Sequence, residues 1–265
     1  MVLVFFLTAI VVFNNTFPFA LNLAISLVSV LAVYEVVSAL GLSRNLILLV
    51  PCLVFAAALP MIDSAYWREF SYFLYTLVVF GALIFYHSFI TFREVGVIYS
   101  MSLLIPTALE TVVSLRSLGG SHGMFYVIIA IFSSWIADVG AFTAGSLFGR
   151  HKLCPDISPK KTVEGVFGAF VLDIAAMLLF GYLFQAVFYA RSESVSYLSL
   201  FLIGCVGAGL ATLGDLSFSL IKRSCHIKDF SEIIPGHGGI LDRFDSVIFV
   251  APFVYFLVQK LPIVL

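Results

Sequence analysis

The sequence has 265 residues, of which 62% are hydrophobic and 11% charged, and its mean hydropathy is +1.11. This composition leaves too little polar surface for a water-soluble domain and predicts a protein that is solvated by lipid. The formal net charge of −1 does not identify a partner, and we expect no nucleic-acid ligand. The four cysteines form no C-x-x-C pair, which argues against a zinc site or a disulfide scaffold.

Long apolar runs follow one another along the whole chain. A bilayer core about 30 Å thick is crossed by roughly 20 apolar helical residues, so these runs predict an all-α, polytopic membrane protein with about nine transmembrane helices. The first run is too short to cross alone, and its lack of a basic flank argues against a cleaved signal peptide. The predicted spans are 2–13, 17–42, 46–62, 70–92, 95–112, 123–148, 163–190, 196–221 and 245–263.

The loops between these spans predict both the division of the chain and its orientation. We predict an N-terminal transmembrane region, 1–120, and a C-terminal region, 121–265, which contains the long basic loops 150–162 and 222–244. Ten of the fourteen Lys and Arg residues lie in loops on the same side as the N-terminus. Because cytoplasmic loops carry the excess of basic residues, the N-terminus and both long loops are predicted to face the cytoplasm from a cell membrane.

Several acidic residues fall within or beside the apolar spans, where a charge is costly unless it faces the bundle interior or water. Carboxylates beside many Lys and Arg residues suit a metal ion bound to phosphates, because Mg²⁺ prefers carboxylate and phosphate oxygens. The alternative is that an acid simply pairs with a neighbouring helix, and we keep it open for Glu35, Glu110 and Asp173. The complete set is Glu35, Glu110, Asp138, Glu164, Asp173, Asp215, Asp242 and Asp245.

Asp138 is followed by small residues at helical spacing, including Gly145-x-x-x-Gly149. Such a pattern allows membrane helices to pack closely, and we interpret the glycines as structural. Asp138 is different, because a charge within a closely packed stripe needs a specific partner. It is therefore a candidate metal ligand.

The next polar segment begins at Ser158-Pro159. Proline favours the first helical position, so these residues predict the start of a helix. Lys160 and Lys161 would then oppose the positive end of the helix dipole, unless an anion binds there. The segment therefore predicts a phosphate site, with solvent-exposed lysines as the alternative.

The stretch from residue 214 to residue 245 is the most informative. Asp215, Ser219, Lys222 and Arg223 have the spacing of one helix face, with the acid deep in the membrane and the basic pair near its surface. A glycine-rich loop follows, in which a backbone could approach a ligand closely. Asp242, Arg243 and Asp245 then open a new helix, with both acids predicted on one face.

With these residues the sequence resembles the CDP-diacylglycerol synthase (phosphatidate cytidylyltransferase) family. The resemblance is specific over 135–260 and weak over 1–120, where it rests on hydropathy and on Tyr34-Glu35. One departure is Ile234, where the family more often has Leu or Phe. The matching text is Gly214-Asp215, Ser158-Pro159-Lys160-Lys161-Thr162-x-Glu164-Gly165, Asp138 with its glycines, and Ser219-x-x-Lys222-Arg223-x4-Lys228-Asp229-x-Ser231-x-x-Ile234-Pro235-Gly236-His237-Gly238-Gly239-Ile240-x-Asp242-Arg243-x-Asp245.

The resemblance implies a homodimeric, all-helical membrane enzyme of the lipid bilayer, which uses Mg²⁺ and transfers CMP from CTP or dCTP to phosphatidic acid. It leaves open whether one or two ions bind and whether a monovalent cation takes part. Asp215, Asp242, Lys222 and Arg223 are the predicted catalytic residues. The predicted metal ligands are Asp215, Asp242, Asp245 and Asp138. The predicted substrate-binding residues are Ser158, Lys160, Lys161, Ser219, Lys228, His237, Gly238, Gly239 and Arg243.

Two alternatives belong to other classes. A CTP-dependent lipid kinase, such as a polyprenol or phytol kinase, would transfer the γ-phosphate and release CDP. A transporter would line a pathway with charged residues, but it often shows inverted repeats, and no such symmetry is seen in this sequence.

Overall fold

A computed structural model describes residue 17 and residues 19–188, 194–231 and 238–264. The described residues are mostly helical, with one small β-hairpin between two long helices. The elements are α1 (Ala20–Ala39), α2 (Leu46–Ala58), α3 (Ala65–Phe85), α4 (Phe92–Leu118), α5 (Gly123–Phe148), β1 (Lys152–Cys154), β2 (Ser158–Thr162), α6 (Val163–Leu183), α7 (Tyr197–Ser224), α8 (Leu241–Phe244) and α9 (Val247–Val258).

Six of these helices (α1, α3, α4, α5, α6 and α7) are long and apolar enough to cross a membrane. Helix α2 continues into a 3₁₀ turn at Leu59–Met61 but is shorter, and α9 has only 12 residues. The prediction of an all-helical membrane protein is confirmed. The count of nine spans stays a prediction, because its first span, 2–13, lies outside the described residues.

The chain forms two compact units. The first is Met1–Val113 with Asp229–Asp242, and the second is Ser114–Lys228 with Arg243–Leu265. The predicted boundary at residue 120 stays a prediction.

In the first unit, α1 packs against α2 and the turn that follows it. Asn22 donates a hydrogen bond to the Pro60 carbonyl (2.8 Å), and Ser26 donates to the Ala57 carbonyl (2.7 Å). These bonds satisfy carbonyls that the end of α2 leaves without helical partners. The apolar side chains of the buried face recur every three or four residues, and they include Leu21, Ile25, Val28 and Ala32.

Polar side chains join α3 to α4 within the same unit. The Arg68 guanidinium lies 2.9 Å from the Glu110 carboxylate, which is largely buried. Further pairs follow along the helices, so that Glu110 belongs to a series of interhelical polar contacts, as its alternative interpretation expected. The other pairs are Tyr72 with Thr107 (3.1 Å), Thr76 with Tyr99 (2.8 Å), and Tyr75 with Ser102.

In the second unit, α5 and α6 pack closely through glycines. A Cβ atom at Gly140 would lie 2.7 Å from the Gly168 carbonyl oxygen, and one at Gly168 would lie 2.1 Å from the Ala144 Cβ. No larger side chain fits at either position without separating the helices. The interpretation of this small-residue stripe as a packing surface is confirmed.

The start of α6 differs from the prediction. Ser158–Thr162 is a β-strand that pairs with Lys152–Cys154, and the helix begins only at Val163. Thr162 caps it by accepting a hydrogen bond from the Gly165 N–H (3.1 Å). The prediction of a helix start at Ser158-Pro159 is therefore wrong, because pairing with β1 outweighs the preference of proline for a first helical turn.

The last helix also begins differently. Asp242 lies in α8, whereas Asp245 lies in the turn before α9. The Asp245 carboxylate accepts a hydrogen bond from the Ser246 N–H (2.7 Å), a local bond that competes with helical hydrogen bonding. The prediction that both acids lie on one face of a single helix is therefore wrong.

Replacing Gly168 by alanine should lower the free energy of unfolding by about 1–3 kcal/mol, because the added methyl group would overpack the contact with Ala144. Thermal unfolding of the detergent-solubilised protein measures the change. The matched control is Gly81→Ala in α3, where no neighbouring atom among the described residues lies within 4 Å of an added Cβ. Equal melting temperatures for the two variants would contradict the packing role of Gly168.

Candidate functional site

Asp215 lies in the middle of the charged cluster of the second unit. Its Oδ2 lies 2.6 Å from the Lys161 Nζ, and its Oδ1 accepts a hydrogen bond from Ser219 (3.1 Å). Ser219 follows Asp215 by one helical turn, so the predicted polar face of α7 is present. Lys161 reaches Asp215 from β2, in which Lys160 is exposed and Lys161 is half-buried.

Two more carboxylates belong to this cluster. Asp138 in α5 accepts a hydrogen bond from the Ser246 hydroxyl (2.8 Å), and the Asp245 side chain bonds the Ser246 N–H. Asp245 interacts electrostatically with Asp215, Asp138 and Lys222, and Asp138 interacts with Asp215. The structure thus brings together three of the four predicted metal ligands, Asp138, Asp215 and Asp245, which come from distant parts of the sequence.

Gly214 explains how the turn at Asp245 comes so close to α7. A Cβ atom at Gly214 would lie 2.8 Å from the Asp245 carbonyl oxygen and 2.9 Å from the Phe249 ring. Only glycine permits this approach. The Gly214-Asp215 pair therefore combines a close backbone contact with a charged side chain.

The predicted phosphate-binding residues of the second unit differ in their surroundings. Lys222 is buried and interacts with Asp245, and Arg243 interacts with Asp138. Arg223 donates to the carbonyls of Ile157 (3.4 Å) and Ile227 (3.2 Å), so it joins the β-hairpin to the end of α7. Among the remaining residues, Lys160 and Lys228 are exposed and Ser158 is half-buried.

The first unit contains the other predicted residues. Asp242 Oδ2 accepts hydrogen bonds from the Phe230 and Gly239 N–H groups, both at 3.0 Å. Gly238 has a φ of +83°, a conformation that favours glycine. His237 lies outside the described residues. Because Asp242 and Asp215 belong to different units, the prediction that they share a metal ion stays a prediction.

Glu35 is the residue whose role the sequence interpretation missed. Its carboxylate is 1% exposed and accepts hydrogen bonds from Ser231 Oγ (2.5 Å), Ile240 N–H (2.9 Å) and Leu241 N–H (2.8 Å). A Cβ atom at Gly239 would lie 2.6 Å from Glu35 Oε2, so the glycine is required by this contact. The only sequence signal was the Tyr34-Glu35 pair, which does not reveal a partner some 200 positions later.

Two further acids of the predicted set, Glu164 and Asp173, have structural partners in the second unit. Glu164 accepts hydrogen bonds from the Arg150 N–H (3.1 Å) and His151 N–H (3.2 Å), and it lies 2.6 Å from His151 Nδ1. Asp173 accepts a hydrogen bond from Ser133 (2.8 Å), which connects α6 to α5. This contact agrees with the alternative interpretation of Asp173, in which the acid pairs with a neighbouring helix.

A divalent ion fits the chemistry of the acidic cluster only in part. The oxygen ligands suit Mg²⁺, but within the described residues no group of three or more His, Cys, Asp or Glu side chains is arranged to hold a metal ion. Mg²⁺ commonly uses one or two carboxylates together with substrate phosphates and water rather than a complete protein cage. Asp215 with Asp138 or Asp245 would meet this smaller requirement.

Comparisons with known proteins agree on one family. A model of the cytidylyltransferase family matches residues 1–261. A phosphatidate cytidylyltransferase of Bacillus subtilis is 40% identical over 167 residues, which are 63% of this chain and 59% of that protein. The enzymes of the same name from Aquifex aeolicus and Haemophilus influenzae are 42% and 34% identical over about half of this chain, and the matches span 46% and 45% of their lengths.

Replacing Lys161 by alanine should lower the free energy of unfolding by about 1–2 kcal/mol, because Asp215 loses the cation that neutralises it at a site partly open to solvent. Lys160→Ala is the matched control, since its side chain lies on the exposed side of the same strand. Thermal unfolding of both variants in detergent measures the difference. A Lys160 variant as unstable as the Lys161 variant would contradict the assigned ion pair.

Proposed function

This chain belongs to the cytidylyltransferase family, and we propose that it transfers a cytidylyl group from CTP or dCTP to phosphatidic acid. The products are CDP-diacylglycerol and pyrophosphate, so the reaction belongs to phospholipid biosynthesis. The observation that carries the proposal is the charged cluster around Asp215, which lies in an apolar helical unit and consists of residues that match the family pattern. Relatives named phosphatidate cytidylyltransferase supply the substrate class.

In the proposed reaction, a phosphate oxygen of phosphatidic acid attacks the α-phosphorus of CTP. A new P–O bond forms there, and the bond from the α-phosphorus to the bridging oxygen of the β-phosphate breaks. Pyrophosphate leaves with that electron pair. A phosphate monoester is already anionic at neutral pH, so the protein needs no strong base, and its task is to position and neutralise two anions.

We assign the phosphate contacts first to the basic groups around the acidic cluster. Lys161, Lys222 and Arg243 lie beside Asp215, Asp245 and Asp138, respectively, and their ammonium and guanidinium groups can also donate to phosphate oxygens. Exposed basic side chains near this cluster would attract the negatively charged nucleotide from solution. Ser158, Ser219, Lys160, Lys228, His237, Gly238 and Gly239 complete the proposed substrate-binding set, and Arg223 holds the hairpin in addition to its proposed catalytic role.

The proposed cofactor is Mg²⁺, held by Asp215 with Asp138 or Asp245, and with Asp242 as a further proposed ligand. When bound together with a nucleotide, such an ion would neutralise charge on the phosphates. The number of ions and the use of a monovalent cation remain open in this proposal. The ligands proposed for the ion are carboxylates that α5, α7 and the turn before α9 already hold near one another.

We further propose that the protein resides in the cell membrane as a homodimer with nine spans. The N-terminus and the loops 150–162 and 222–244 face the cytoplasm, as the distribution of basic residues favours. Cytoplasmic CTP can then reach the basic loops, while the acyl chains of phosphatidic acid stay in the bilayer. The helices that are long and apolar enough to cross a membrane support this location.

Incubating the purified protein with phosphatidic acid, radiolabelled CTP and Mg²⁺ should give a labelled lipid and unlabelled pyrophosphate when the label is on the α-phosphorus. Thin-layer chromatography of the lipids and ion chromatography of the phosphates measure both products. Release of CDP with a γ-labelled lipid would instead identify a CTP-dependent kinase. Absence of any CTP-dependent lipid product under these conditions would refute the proposed function.

Replacing Asp215 by asparagine should lower turnover by on the order of 100-fold or more, because the change removes a proposed metal ligand together with the partner of Lys161. Initial rates over a range of Mg²⁺ concentrations measure the effect. Asp173→Asn is the control, since it replaces a buried carboxylate of the same unit whose hydrogen bond comes from Ser133, which is not a residue of the proposed site. Wild-type turnover in a well-folded Asp215 variant would remove this residue from the metal site.

A further inference from the structure

Glu35 differs in what it binds from Glu110, the other buried acid among the described residues of the first unit. Glu110 pairs with an arginine side chain, whereas Glu35 accepts hydrogen bonds from Ser231, Ile240 and Leu241. Two of the donors are main-chain N–H groups, at Ile240 and Leu241. A carboxylate of α1 thus fixes the backbone of a segment that lies about 200 positions away in the sequence.

Asp242 also holds this backbone, through the N–H group of Gly239. The Gly239 N–H donates to Asp242 Oδ2 (3.0 Å), while the position of a Gly239 Cβ would fall 2.6 Å from Glu35 Oε2. Gly239 therefore lies between two carboxylates with no room for a side chain. Of these two carboxylates, Asp242 belongs to the proposed catalytic residues and Glu35 does not.

Burying the Glu35 carboxylate costs free energy unless hydrogen bonds replace those to water, and three donors provide such bonds. The arrangement fixes the peptide groups directly before Asp242, and hence the direction in which α8 begins. A site that handles phosphates benefits from such preorganisation, because groups held in place need not be ordered when the ligand binds.

We propose that Glu35 is a positioning residue, which holds the backbone at Ile240 and Leu241 so that Asp242 is correctly placed for the nucleotide. This role would involve the N-terminal part of the chain in nucleotide binding. Only the identity of the ligand rests on the proposed function, since the contact of Glu35 with Ile240 and Leu241 lies within the first unit.

Glu35→Gln is the test variant. A glutamine amide can keep one acceptor oxygen, but its NH₂ group cannot accept the other hydrogen bond, so at least one main-chain N–H loses its partner. We expect amide hydrogen exchange of the peptide that contains Ile240 and Leu241 to accelerate by about tenfold. We also expect KM for CTP to rise by about tenfold while KM for phosphatidic acid stays unchanged.

Glu110→Gln is the matched control, because it removes a buried carboxylate of the same unit whose ion pair is with Arg68 of α3. It should leave the exchange of that peptide and KM for CTP at wild-type values. Unchanged exchange in Glu35→Gln would overturn the inference, and so would faster exchange with wild-type kinetics. Equal losses in both variants would show a general effect on stability and would also overturn it.

A second variant covers the case in which Glu35→Gln does not fold. Ser231→Ala removes one of the three donors and leaves the carboxylate in place, so we expect exchange and KM for CTP to rise by about threefold. Wild-type values for both would overturn the inference. A wild-type protein without cytidylyltransferase activity would refute the proposed function instead, and the exchange comparison would still decide whether Glu35 holds the segment.

Discussion

Each carboxylate that enters an apolar helical unit needs donors, and this requirement connects distant parts of the sequence. Asp215 has Lys161 and Ser219, Asp138 has Ser246, and Glu35 has two main-chain N–H groups. Ser219 lies on the same helix as Asp215, whereas the other donors lie on a strand, in a turn or bend, or at the start of α8. Hydrogen bonds to buried acids therefore fix the positions of neighbouring elements, because dispersion contacts between apolar helices have little directional preference.

The fold was predictable where the signal is local. Apolar runs predicted the helices because burial in lipid needs a long uninterrupted stretch. Small residues at four-residue spacing predicted a close helix contact, which α5 makes with α6. The spacing of Asp215 and Ser219 predicted that they share one helix face, and in the structure they are joined by a hydrogen bond. The β-hairpin was not predictable in this way, since its strands depend on pairing with each other and are too short to show a periodic pattern.

The sequence predicted several residues of the charged cluster, but it did not predict their contacts. Asp138, Asp215 and Asp245 were chosen because charges within apolar spans are costly, and the second unit brings them together. Contact of Asp215 with Lys161 rather than Lys160 depends on the β-hairpin, which the predicted helix start had excluded. Glu35 shows the limit most clearly, because a single buried acid indicates that a partner exists without indicating where it is.

The ion pair of Lys161 and Asp215 also suggests how a phosphate site can remain neutral before its ligands bind. Each charge compensates the other at 2.6 Å, so neither is left unpaired in a partly buried position. Under the proposed function, the two charges need opposite ligands, a phosphate for the lysine and a divalent cation for the carboxylate. A metal–nucleotide complex would supply both at once, so that each of the two charges would again have an opposite partner. The β-hairpin and α7 hold the two residues on separate elements, and Arg223 of α7 joins these elements through the Ile157 carbonyl.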